Sequence, residues 1–66
     1  MKISVNDNDM LFKKSINVNE LINSLDLKVE KIAIEINKTI LPRSEYENYF
    51  VKENDVIEII KAVGGG

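Results

Sequence analysis

The chain has 66 residues, 44% hydrophobic and 30% charged, with a formal net charge of −2. A domain this small has one modest core, so a deep internal active-site cavity is not expected, and any chemistry is sought on the surface or at an end. The absence of cysteine and histidine excludes disulfides, thiolate nucleophiles, the usual zinc sites and imidazole acid–base catalysis.

Lys2-Ile3-Ser4-Val5 alternates polar and apolar residues, as a half-buried strand does. Asn6-Asp7-Asn8-Asp9 is a cluster of turn formers, and Met10 to Lys14 reads as the returning strand of a hairpin. Asn17 and Glu20 have the spacing of a capping box, with Ile16 and Leu21 placed for a hydrophobic staple. Val18, Leu21, Ile22 and Leu25 follow at i, i+3, i+4 and i+7, one face of a helix. Glu20 is therefore a capping residue, not a catalytic acid. No glycine marks the helix end, which falls between Asp26 and Glu30 together with the exit loop.

Ile32, Ile34 and Ile36 alternate with Ala33 and Glu35 as a strand. Asn37-Lys38 turns the chain into Thr39-Ile40-Leu41, which Pro42 ends because it has no N–H for a ladder. Ser44 to Phe50 reads as a short helical turn capped by Ser44, with Tyr46, Tyr49 and Phe50 as core or edge packing. Glu53-Asn54-Asp55 is a turn, and Val56 to Val63 the longest strand, with Ile57 and Ile59 toward the core and Glu58 and Ile60 on the opposite face. The expected fold is α+β: a mixed sheet of about five strands with one main helix on one face. The first and last strands pair in parallel, so the last is central.

Charges of both signs are mixed along the chain, without the basic stripe that nucleic acid requires. The N-terminus has no signal-like apolar region, and no stretch approaches the length of a membrane span. A cytoplasmic protein is the expectation, with neither nucleic acid nor membrane as partner. No carboxylates or lysines are spaced so as to converge, so an autonomous enzyme is not expected, nor is a bound metal or cofactor.

The end of the chain is its most unusual segment. All three glycines are Gly64, Gly65 and Gly66, and none serves an internal turn. A frayed end is the ordinary reading of such a tail, but the lack of glycine elsewhere argues against it. Three extended residues reach about 10 Å, and without Cβ atoms they can thread a narrow channel. The Gly66 carboxylate, ionised at neutral pH, could attack an activated phosphate in a partner's site. The chain thus divides into a domain over 1–63 and a flexible tail over 64–66.

Several segments together carry a resemblance: Lys2-Ile3-Ser4-Val5-Asn6, Ala33-Ile34-Glu35-Ile36-Asn37, Leu41-Pro42-Arg43-Ser44, and Asp55-Val56-Ile57-Glu58-Ile59 leading to Val63-Gly64-Gly65-Gly66. In this order, over essentially the whole chain, it resembles the ThiS family of sulfur carriers. The resemblance implies the ubiquitin-like β-grasp fold. It also implies that a ThiF-like enzyme uses ATP and Mg²⁺ to adenylate Gly66, that a sulfur-donor enzyme converts the adenylate to a thiocarboxylate, and that the thiazole synthase ThiG consumes the sulfur in making thiamine. Gly64 and Gly65 would thread the partners' active sites. Ile60, Ala62, Val63 and Arg43 are candidate docking residues, although Ile60 and Ala62 could equally be buried on a central strand and Arg43 could pair with a local carboxylate. Family members often have an aromatic residue in place of Ala62 and commonly a glycine in place of Lys38. A MoaD-like carrier for molybdopterin synthesis and a non-covalent β-grasp interaction module with an inert tail are the alternatives.

Overall fold

The computed structural model describes residues 1–61. Its elements are β1 (Lys2–Val5), β2 (Asn8–Leu11), α1 (Val18–Ser24), β3 (Ile32–Ile36), β4 (Thr39–Leu41) and β5 (Val56–Lys61), with 3-10 turns at Val29–Lys31 and Arg43–Glu45. The five strands form one mixed sheet in the order β2-β1-β5-β3-β4. β5 is central, parallel to β1 and antiparallel to β3. This is the arrangement that the alternation and the parallel-pairing inference predict.

Both hairpins close on two-residue turns. Val5 pairs with Asn8 across Asn6-Asp7, and Ile36 pairs with Thr39 across Asn37-Lys38. All four turn residues have positive φ, between 49° and 72°, as the twist of tight hairpins demands. The expected returning strand Met10 to Lys14 is therefore shifted: Asn8 and Asp9 belong to β2, because only two residues of the Asn-Asp run are needed for the turn.

The capping box at the start of α1 is complete. Glu20 N–H donates to Asn17 Oδ1 at 2.7 Å, and Asn17 N–H donates to Glu20 Oε1 at 2.9 Å. The helix stops without glycine because Asp26 takes the left-handed position, at φ 58°. Leu27 N–H then donates to the Ile22 carbonyl at 3.2 Å, and Asp26 N–H to that of Asn23 at 3.1 Å, the pair of bonds that closes a helix around a left-handed residue.

Val18, Leu21 and Ile22 of the helix are fully buried against Ile3, Ile34, Ile57 and the rest of the inner sheet face. Of the aromatic trio, Tyr46 is buried and Tyr49 half-buried, but Phe50 is half exposed and is not a core residue. The turn after β4 is not capped by Ser44 either. Ser44 lies inside it, Pro42 is the cap position, and no side chain caps it.

Candidate functional site

β5 leads directly toward residues 62–66, so whatever holds β5 holds the base of the glycine tail. Ala62, Val63, Gly64, Gly65 and Gly66 lie outside the described residues, as does the last part of the strand expected over Val56 to Val63.

Two asparagines grip β5, one from each hairpin turn. The β1–β5 ladder runs through Val5 and Ile57. There the chain turns into the hairpin, and Asn6 continues the pairing. Its N–H donates to the Ile57 carbonyl at 3.0 Å, its Oδ1 accepts from Ile59 N–H at 2.8 Å, and its Nδ2 donates to the Ile59 carbonyl at 3.4 Å. On the other side, Asn37 holds the start of the strand: its N–H donates to the Val56 carbonyl at 2.7 Å, and its Oδ1 accepts from Val56 N–H at 2.9 Å. A left-handed asparagine can do this because its carboxamide offers both an acceptor and a donor beside its own backbone.

Asn37 Nδ2 also donates to Asp55 Oδ1 at 3.0 Å. The other oxygen of this buried carboxylate accepts from Tyr49 Oη and from Lys52 N–H, both at 2.9 Å. A buried carboxylate is tolerated when several donors satisfy it. Partial burial, followed by the hydrogen bond to Asp55 and the charge of that group, pushes the Tyr49 hydroxyl up to about 12. The Lys52 ammonium sits 5.3 Å from the centre of the Tyr49 ring. This knot joins the β3–β4 turn, the loop before β5 and the first residue of β5. Its bonds hold the start of β5 in place.

The register divides β5 by face. Ile57 and Ile59 point to the core, while Val56, Glu58 and Ile60 lie on the open face. Cross-strand partners on that face are Ala33 with Ile60, Glu35 with Glu58 and with Ile40, and Lys2 with Leu11. Leu11, Ile40, Val56 and Ile60 are all exposed, Ile60 at 47%. The candidate docking residue Ile60 is thus exposed on the open face and does not lie in a doubly buried strand. Arg43 is exposed in the turn after β4. It follows β4 at the end of the sheet where β5 reaches Lys61, with β3 between them. Among the described residues no group of three or more His, Cys, Asp or Glu is placed to hold a metal ion, and no helix is long and apolar enough to cross a membrane.

Asn6, Asn37 and Asp55 read in the sequence only as turn formers. Their partners lie up to 53 residues away, and no local pattern marks such pairs. The two strand-Asn endings, Val5-Asn6 and Ile36-Asn37, were the available signal.

Comparison with known proteins agrees along the whole chain. The model of the ThiS family matches residues 2–66. The chain is 32% identical over 66 residues to the sulfur carrier protein ThiS of Escherichia coli strain K12, covering 100% of both. It is 35% identical over 66 residues to a thiazole synthase of Paramagnetospirillum magneticum, covering 100% of this chain but only 20% of that longer protein. The crystal structure of a thiamine biosynthesis protein, ThiS, from Geobacter metallireducens superimposes with a TM-score of 0.85 at 30% identity, covering 100% of each chain. The fold is the β-grasp fold.

Proposed function

The chain belongs to the ThiS family, and on that premise we propose that it is a sulfur carrier for thiamine biosynthesis whose reactive group is the Gly66 carboxylate. The observation that carries this reading is a family match that extends through the terminal glycines, residues 2–66. The protein is a co-substrate, and the catalysis belongs to its partners.

A carboxylate is a poor acyl donor because its leaving group would be an oxide. In the proposed sequence a Gly66 oxygen attacks the α-phosphorus of ATP in a ThiF-like enzyme, with Mg²⁺ on the phosphates, and pyrophosphate leaves. Hydrosulfide (HS⁻) delivered by a donor enzyme then attacks the acyl carbon of the adenylate, AMP departs with the oxygen, and the S–H proton is lost to give the thiocarboxylate. The resulting thiocarboxylate supplies sulfur to a ThiG-type thiazole synthase. Alignment with one segment of a protein named thiazole synthase supports this last partner. Developing charge in each step would be stabilised by the partners' preorganised donors. A supply of ATP agrees with work in the cytoplasm.

The body's part is to present the tail. Ile60, exposed beside Ala33 on the open sheet face near the end of β5, offers the partner enzymes an apolar contact, and Ala62 and Val63 follow it in sequence before Gly64 and Gly65. Arg43 provides a separate cationic contact.

The test is intact mass spectrometry after incubation with the adenylating enzyme, ATP, Mg²⁺ and a sulfur source. Replacement of one terminal oxygen by sulfur is expected. An unchanged mass, with an enzyme preparation that thiolates a known ThiS, contradicts the reading.

A further inference from the structure

The helix-and-sheet sandwich is open at the end toward which β5 runs. α1 is only seven residues long and ends at Ser24, so among the described residues the far part of the inner sheet face has no helical cover. Two adjoining hollows of about 250 Å³ each lie there, sharing Leu27 and Lys61. Met10, Leu25 and Ile59 give one of them an apolar floor. The mouth is cationic. Lys28 and Lys31 precede β3, and the pairing of Ile32 with Lys61 brings the end of β5 beside them. Among the described residues Asp26 is the one carboxylate lining either hollow, and Glu30 stands between Lys28 and Lys31 in the chain. In a chain of net charge −2, this end is locally positive.

Three lysines on flexible stems form a diffuse cationic rim, without the planar guanidinium fork that grips a phosphate bidentately. The apolar floor favours a side chain over a small hydrated anion. We propose that this groove docks an acidic peptide segment of the activating enzyme, with an apolar side chain on the Leu25–Leu27–Ile59 floor and flanking Asp or Glu carboxylates against Lys28, Lys31 and Lys61. The proposal rests on the carrier reading above. Docking here fixes the end of β5 relative to the enzyme immediately before the tail begins, and the rim charges steer encounter.

The test is ATP–pyrophosphate exchange catalysed by the adenylating enzyme at varied carrier concentration, with calorimetric binding of the same enzyme in the absence of ATP. Wild-type exchange checks the carrier reading by itself, and the binding measurement needs no turnover. Lys28→Glu/Lys31→Glu, both on exposed residues off β5, is expected to raise KM and Kd about 10-fold while leaving kcat unchanged, since rim charges act on encounter. Lys28→Arg/Lys31→Arg should restore wild-type values. Raising salt from about 0.05 to about 0.5 M should weaken the wild type and narrow the gap, because exposed charges are screened. Unchanged Kd and KM for the doubly reversed variant would overturn the proposal. So would lysine-dependent binding of pyrophosphate to the carrier alone, which would make the groove an anion site.

Discussion

The two hairpin turns share one plan and differ in what lies behind it. Each opens with a left-handed asparagine whose carboxamide reaches β5. Among the described residues, the Asn6 carboxamide bonds main-chain groups of Ile59 alone. Asn37 bonds the strand's first residue and also the buried Asp55 carboxylate. The first turn guides a strand, whereas the second also supplies one of the three donors that a buried carboxylate receives. The same residue in the same conformation should therefore matter to very different degrees.

Glycine substitution separates these roles, because it keeps positive φ accessible and removes only the side chain. Asn37→Gly is expected to destabilise by about 2 kcal/mol, the scale for removing a hydrogen bond to a charged buried group. Asn6→Gly should be milder, about 1 kcal/mol or less, since it removes bonds between neutral groups only, and Asn6 and Ile59 line a hollow that water can enter. Chemical denaturation of both variants measures the contrast, and equal losses would show that Asp55 does not depend on Asn37.

Tyr49→Phe sharpens the same difference from the far side of the carboxylate. It should lower stability by about 1 kcal/mol at neutral pH through the lost bond to Asp55. The hydroxyl holds its proton up to about 12 in the fold and to about 10 in the unfolded chain. Its contribution is thus fully present below pH about 10 and is lost as pH rises through about 12. Alkaline denaturation should show a fall in wild-type stability across that window, and the phenylalanine variant should lack this component.

The second positions of the turns complete the comparison. Asp7 tolerates left-handed backbone well, but Lys38, at φ 72°, has no short polar side chain to offset the clash. Lys38→Gly is expected to stabilise by about 0.5–1 kcal/mol once the greater freedom of glycine in the unfolded chain is counted. A melting temperature at or below that of wild type would show that Lys38 makes a compensating contact.

The turns also show what could be read from the sequence. Local chemistry was legible: the capping box, the alternation of β3, the inward Ile57 and Ile59, and the left-handed preference of Asn and Asp. Where several residues shared that preference, their boundaries were not, so Asn8 and Asp9 read as turn although they pair with Val5 and Ser4. The short turn at Val29–Lys31 and the exposure of Phe50 depend on how the loops settle against the body, which no periodicity encodes. Asp55 looks like any turn residue until Tyr49, Lys52 and Asn37 converge on it. For the candidate site, Ile60 and its face followed from strand alternation. The lysine groove did not, because it depends on the register of β3 against β5 and on the early end of α1.

The turns of the body contain no glycine, and the three glycines stand together at residues 64–66. In the proposed function shape and reactivity are divided in the same way: residues 1–61 would position, and Gly66 would react. The most direct measurement compares the wild type with a chain lacking Gly65 and Gly66, following both melting temperature and enzymatic loading with sulfur. The account predicts an unchanged melting temperature and complete loss of loading. Sulfur loading of the shortened chain at the wild-type rate would contradict it.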